Sequence, residues 1–328
     1  MIGKLGVIGG GAWGTALAQV AAADDEETLL WAREPEVVAS VNETHENAAF
    51  LAGYPLNPAI RATGNLADLA ACDALLVVTP AQHMRSVLCG LGGWAKPLVL
   101  CAKGMEEATM KLMHDVAHEA QPGARIAVLS GPTFAHEVAI GPPAAVTLAI
   151  EDREVGEALR ARLARPSFRP YLSDDVIGAE IGGAVKNVLA IACGVVEGRR
   201  LGQNARAALI SRGFAEMTRF GLARGARAET LAGLSGLGDL VLTCSSESSR
   251  NFSLGKGLGE GRSAAELLSD RRTVAEGAHT APVLERAAEA EGVDMPIVAA
   301  VCALLEGEVS VDAVVDALLS RPLKSEGL

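Results

Sequence analysis

The stretch "GVIGGGAWGTALAQVAA", residues 6–22, decides the first half of the chain. It closes a short apolar run and opens an Ala-rich segment, with Gly9, Gly11 and Gly14 spaced as GxGxxG between the two. In a strand–turn–helix unit the first glycine permits the tight turn and the second lets a pyrophosphate approach the backbone. The third allows close helix–strand packing, and the helix N-terminus faces the phosphates. In a chain with 36 glycines the spacing alone is weak, and its position directly after a strand-like run is what makes it a dinucleotide fingerprint.

Outward from this turn, short apolar runs recur at 28–32, 74–79, 97–102, 125–130 and 144–150, after a first at 4–9 and before a last at 168–173. Amphipathic segments separate them. Such runs fit strands buried on both faces and joined by crossover helices, which predicts a doubly wound parallel sheet. Beyond residue 176 the pattern changes. Segments 178–197, 206–224, 263–268, 277–291, 296–306 and 310–319 read as helices between Gly-rich or charged turns. The expected architecture is α/β plus all-α, with a Rossmann-type dinucleotide-binding domain over 1–176 and a helical substrate-binding domain over 177–328. Ser173 or an adjacent Asp is placed to cap the first helix.

A length of 328 residues suits about two domains, and an apolar share of 49 % excludes a disordered chain. The net charge of −11 argues against a nucleic-acid surface, so an anionic ligand must be met by a few cations gathered locally. Six widely spaced cysteines with no CxxC pair read as reduced residues of a cytoplasmic protein. The N-terminus shows no apolar signal region, and no apolar run approaches about 20 uninterrupted residues, so neither secretion nor a membrane span is expected. "HDVAH" sets His114 and His118 at metal-site spacing, but Asp115 stands where such motifs use Glu, and no metal is expected.

"LLWAREPE" (29–36) puts Arg33 and Glu34 after the second strand, where the ribose 2′ position is read; Arg33 favours NADPH, while NADH remains open. Lys103 in "CAKGM" (101–105) and the polar turn "SGPTFAHE" (130–137), with Thr133, follow strand ends. "SGLGDLVLTCSSESSRNFSLG" (235–255) offers Asp239 and then Ser249, Arg250 and Asn251 at a helix start, a combination suited to phosphate. In "GGAVKNVLAIACGVVEG" (182–198) one lysine, Lys186, sits in an apolar segment that has almost no polar stripe. Glu197 lies nearly over it at helical spacing, placed to cap or orient that face.

With "TVAEG" (273–277) and the ending "LGQN" (201–204), these stretches together resemble the bacterial NAD(P)-dependent glycerol-3-phosphate dehydrogenases over nearly the whole chain. The resemblance implies reversible NAD(P)H-dependent reduction of dihydroxyacetone phosphate to sn-glycerol 3-phosphate for phospholipid biosynthesis. It implies Lys186 as catalytic acid/base, and Lys103, Gly131, Thr133, Asp239, Ser249, Arg250 and Asn251 as further substrate contacts. Gly9, Gly11, Ala12, Trp13, Gly14, Arg33, Lys103, Ala135, Arg250, Val274 and Glu276 match cofactor-contacting positions. A homodimer is expected from the apolar helical half. Arg199 departs from the family pattern, which has an apolar residue there. Two rival readings are a β-hydroxyacid dehydrogenase of the 6-phosphogluconate type, which would lack the "TCSSESSRN" cluster, and a dinucleotide-binding sensor, which would not need Lys186, Asp239 and Arg250 together.

Overall fold

The computed structural model describes residues 2–269, 275–307 and 309–322. The chain divides into two compact units, one of Met1–Ala102 with Met113–Val176 and one of Lys103–Leu112 with Ile177–Leu328. The sequence boundary at 176/177 did not anticipate that Lys103–Leu112 groups with the helices. The physical reason is apolar: Met105 and Leu112 are buried in the helical core.

The first unit is an eight-stranded sheet of β1 (Leu5–Ile8), β2 (Thr28–Trp31), β3 (Ile60–Thr63), β4 (Ala74–Val77), β5 (Leu98–Leu100), β6 (Ile126–Ser130), β7 (Ala144–Ala149) and β8 (Phe168–Ser173). The order is β3-β2-β1-β4-β5-β6-β7-β8, so the winding reverses between β1 and β4, next to the glycine turn. β1 and β4 are buried at every position, as a sheet covered on both faces requires. Pairing is parallel from β3 through β6, and β7 then enters antiparallel to β6. That one antiparallel pairing departs from the all-parallel expectation. The link between β6 and β7 holds a single six-residue helix, Ala135–Ile140. At about 9 Å it is too short to carry the chain back along a strand of about 17 Å for parallel entry. β3 escaped the sequence reading because only Ile60 and Ala62 of its four residues are buried.

The second unit is built around the helix Val176–Gly198, in which every residue from Gly178 to Val195 is buried. This helix is apolar enough by average composition to cross a membrane, with a mean hydropathy of 1.5 over its best window, although Glu180, Lys186 and Asn187 interrupt it. Its apolar length is used in packing, since 83 % of that window is buried within the protein. At its start Ser173 Oγ accepts the Asp175 backbone N–H at 3.1 Å.

Around it stand Gln203–Ala223, Ala228–Leu231, Asp239–Cys244, Arg250–Gly259, Ala264–Leu267, Glu276–Ala290, Pro296–Glu306 and Val311–Leu319. Gln203 rather than residue 206 begins the second helix, because Gly202 at φ +91° supplies its N-cap. Arg250–Gly259 was not read as a full helix, since Gly255, Gly257 and Gly259 lower helix propensity by about 1 kcal/mol each. Close approach explains them. A Cβ on Gly255 would meet the Ile191 carbonyl oxygen at 1.9 Å, and one on Gly194 would meet that of Phe252 at 2.0 Å.

Candidate active site

In the first unit the glycine turn leaves β1 through Gly9 at φ +121°, where a Cβ would meet the Val78 carbonyl oxygen at 2.9 Å. A Cβ on Gly14 would meet the Gly9 carbonyl oxygen at 1.9 Å, so helix and turn pack backbone to backbone. At Gly11 nothing lies within 4 Å, which leaves that side open to a ligand. The helix Ala12–Ala21 starts at Gly11 with no side-chain cap and no acidic residue in its first turn. Its unused amides and the positive end of its dipole therefore fit a pyrophosphate. Trp13 Nε1 and Thr79 Oγ1 are buried with no hydrogen-bond partner among the described residues, as a site built around a bound polar group would leave them.

Asn47 holds this turn in shape and was not found from sequence. Its Nδ2 donates to the Gly10 carbonyl and to Thr15 Oγ1, both at 2.7 Å. No local spacing signals such a role, because the partner is 37 residues away. After β2, Arg33 is largely exposed and its guanidinium rests on Glu34 at 2.9 Å. After β6, Gly131 takes φ +155° with β7 packed behind it, where a Cβ would meet Val146 Cα at 2.9 Å. Thr133 Oγ1 donates to the Gly131 carbonyl at 3.3 Å, and Ala135 opens the following helix.

The second unit gathers the charged residues. Asp239 is fully buried and its carboxylate bridges two ammonium groups, with Lys186 Nζ at 2.8 Å from Oδ1 and Lys103 Nζ at 2.7 Å from Oδ2. Lys186 also donates to Thr243 Oγ1 at 2.8 Å, and Thr243 in turn donates to Asp239 Oδ1 at 3.2 Å. Asp239 and Thr243 are four residues apart on one helix, so both face the same lysine. Thr243 is a residue that the sequence reading missed, because a threonine amid the apolar residues of "LVLTC" reads as packing. Asn187 Nδ2 donates to the Lys103 carbonyl at 3.4 Å and ties the 103–112 segment to the lysine helix.

Burial pulls the Lys186 amine down from its ordinary 10.5 to about 8. Asp239 opposes that fall, and the positive charge of Lys103 adds to it. Desolvation pushes the Glu276 carboxyl up, while Arg250, Lys103 and Lys186 pull it down, so these four charges share one electrostatic environment.

Ser249 caps the helix Arg250–Gly259, its Oγ accepting the Phe252 N–H at 3.2 Å. Arg250 is exposed on the first turn. Asn251 Oδ1 accepts the Gly277 N–H at 2.9 Å, which fixes the start of the Glu276 helix and leaves the amide nitrogen's donors out of that bond. Val274 lies outside the described residues. Glu197 does not serve Lys186 but pairs with Arg206 at 3.2 Å, and Arg199 pairs with Asp312. The His114–His118 segment lies on the helix Met113–Ala120, where His114 Nε2 is 3.4 Å from Asp115. Among the described residues no group of three or more His, Cys, Asp or Glu could hold a metal.

Two family models match in succession: NAD-dependent glycerol-3-phosphate dehydrogenase N-terminus over residues 4–156, and C-terminus over residues 175–316. The chain is 66 % identical over 326 residues to the glycerol-3-phosphate dehydrogenase (NAD(P)+) of Erythrobacter litoralis, covering 99 % of this chain and 98 % of that one. The enzyme of that name from Caulobacter vibrioides is 59 % identical over 98 % of each chain. The crystal structure of glycerol-3-phosphate dehydrogenase from Coxiella burnetii is similar with a TM-score of 0.93 at 35 % identity, covering 98 % of this chain and 99 % of that one. The enzyme from Saccharomyces cerevisiae is similar at 0.82 and 28 % identity, covering 96 % and 99 %. With both of its halves matched in order and its curated relatives covered end to end, the chain belongs to the NAD-dependent glycerol-3-phosphate dehydrogenase family.

Proposed function

We propose that this protein is an oxidoreductase that reversibly reduces dihydroxyacetone phosphate to sn-glycerol 3-phosphate with NAD(P)H, supplying the glycerol backbone of phospholipids. The observation that carries the reading is the buried Asp239 carboxylate shared by Lys186 and Lys103. A simple structural ion pair needs one cation, whereas two ammonium groups on one carboxylate leave positive charge for an anionic ligand.

The glycine turn with Gly9, Gly11, Ala12, Trp13 and Gly14 fits the dinucleotide pyrophosphate, and Arg33, Lys103, Ala135, Arg250 and Glu276 are proposed as its further contacts. When bound there, the nicotinamide would supply hydride-transfer chemistry for reduction of the ketone. Lys186, as the ammonium, stabilises the negative charge that develops on the C2 oxygen and gives it a proton; in the oxidising direction the neutral amine takes that proton back. Asp239 and Thr243 hold the amine in place, with Lys103 on the far carboxylate oxygen. Arg250 pairs with the substrate phosphate, helped by the Ser249 hydroxyl, the Asn251 amide and the N-terminus of their helix. Gly131 and Thr133 are proposed as further substrate contacts, through a backbone amide and a hydroxyl.

NADPH is the proposed preferred coenzyme, with the Arg33 guanidinium turning from Glu34 to a 2′-phosphate; saturation curves for NADH and NADPH test this. Six widely spaced cysteines with no CxxC pair support a reducing cytoplasmic setting, and the acidic net charge supports an enzyme without nucleic-acid partners. A homodimer is proposed from exposed Leu201, Leu222 and Val241 on the helical unit, to be read by the mass of the native protein in solution. The activity itself is tested by NADPH oxidation on addition of dihydroxyacetone phosphate. Turnover is expected with that ketone and not with 6-phosphogluconate or other hydroxyacids in the reverse assay. Cofactor binding without turnover would mark a sensor.

A further inference from the structure

Lys186 meets Asp239 because two stretches of backbone come unusually close one helical turn earlier. Gly182 lies four residues before Lys186 and on the same face of the helix Val176–Gly198. A Cβ there would meet the Ser235 carbonyl oxygen at 2.3 Å, with Gly236 Cα and the Ser235 carbonyl carbon both at 2.8 Å. All three are backbone atoms, so no rotamer change could make room. Ser235 and Gly236 belong to a widened turn, Leu234–Gly238, closed by the Gly238 N–H on the Gly233 carbonyl at 3.0 Å. Asp239 is the next residue. On both elements, then, the backbone contact and the ion pair are stacked about one turn apart. The Cys244 thiol follows on the same helix as Asp239, buried and pushed well above its ordinary value by desolvation and by the neighbouring Cys193.

We propose that Gly182 is a positioning residue for the proton donor: the backbone contact it permits with Ser235 and Gly236 sets Asp239 against Lys186. The proposal rests on the reading of Lys186 as that donor. A methyl group at Gly182 must push the 234–239 segment away by about 1 Å to reach ordinary van der Waals separation. Asp239 moves with it, and the 2.8 Å pair opens while the surrounding apolar residues still desolvate the amine. The groups facing Lys186 are Asp239 and Thr243 on one helix, Lys103 from the 103–112 segment, Glu276 at the start of its helix, and the Cys244 thiol. Of these, Asp239 is the anion that raises the amine's proton affinity most. Moving it away makes the ammonium lose its proton at lower pH.

The test compares kcat for ketone reduction across pH in the full-length native protein, Gly182→Ala, Gly213→Ala and Lys186→Ala, with NADPH saturating. Gly213 is the control: the atoms nearest a Cβ there are Leu189 side-chain carbons on the same lysine helix, at 2.8, 2.9 and 3.3 Å, and a side chain can shift where a backbone cannot. Gly182→Ala is expected to lower kcat and move the alkaline limb of the profile to lower pH by about one unit, with the KM for NADPH unchanged. Gly213→Ala is expected to lower Tm and leave the limb in its native place. A folded Gly182→Ala with the native limb, or with a limb moved to higher pH, overturns the proposal. If Gly182→Ala does not fold, Gly236→Ala is read instead; its Cβ would meet the Leu231 carbonyl oxygen at 1.9 Å, so it displaces the same turn from its other side and should move the limb in the same direction. An unmoved limb there overturns the proposal equally. Native-like turnover by Lys186→Ala would remove the donor reading itself, whereas loss of turnover in Lys186→Ala beside an unmoved Gly182→Ala limb removes only the role of Gly182.

Discussion

At the scale of the residue, Lys186 titrates near pH 8 because burial strips water from its ammonium while Asp239 restores only part of that loss. The consequence for turnover has opposite signs in the two directions. With Lys186 as the proposed proton donor, reduction needs the ammonium, so its rate is expected to be highest below about pH 8 and to fall as pH rises through that value. Oxidation of glycerol 3-phosphate needs the free amine, so its rate rises through the same value. Initial rates in both directions over a common pH range check this, and parallel profiles would contradict it. Asp239→Asn removes the charge that holds the proton on, and should move both limbs to lower pH. The lysine was legible in the sequence as a charge without a polar stripe, and Asp239 and Arg250 as polar groups clustered after glycines. Thr243 was not, since a threonine inside "LVLTC" reads as packing until the helix sets it over Asp239.

At the scale of the element, two carboxamide or carboxyl side chains fasten backbone ends that the sequence leaves bare. Asn47 fixes the glycine turn, and removing its two 2.7 Å bonds leaves the buried Gly10 carbonyl without that donor. Asn47→Ala should therefore weaken NADPH binding by about tenfold, or about 1.4 kcal/mol, with little change in kcat at saturating cofactor. Fluorescence titration reads the first effect and saturation kinetics the second. Glu216, on Gln203–Ala223, accepts the first N–H groups of Pro296–Glu306, with Ile297 N at 2.9 Å and Val298 N at 3.4 Å.

Burial pushes the Glu216 carboxyl up from 4.5 to about 7, against the pull of those two amides. Its folded value is raised, so folding loses stability as pH rises from the unfolded value through about 7, and the whole cost is present above that. The cost is on the order of 3 kcal/mol. Glu216→Gln keeps an acceptor without the charge, so its urea midpoint should fall less than the native one between about pH 5 and pH 8. Equal falls would contradict the assignment. Neither fastening was legible in the sequence, because each joins residues far apart in the chain.

At the scale of the whole molecule, the order of a Rossmann-type sheet followed by helices was legible because alternation of apolar runs stops abruptly near residue 176. What escaped was set by tertiary packing. The 103–112 segment joins the helical unit through Met105 and Leu112, and two residues could not advertise that in a sequence. The glycine-rich Arg250–Gly259 helix forms against its own propensity because backbone contact with the lysine helix stabilises it. Both units thus use glycine to bring backbone close: helix to strand-end turn in one, and helix to helix in the other. Lys186 remains the point on which the functional reading turns. The most direct measurement is NADPH binding and dihydroxyacetone phosphate reduction by Lys186→Ala. Fluorescence titration should show native-like cofactor affinity while reduction falls by about a hundred- to ten-thousand-fold; binding and turnover both close to native would contradict the assignment of the proton donor.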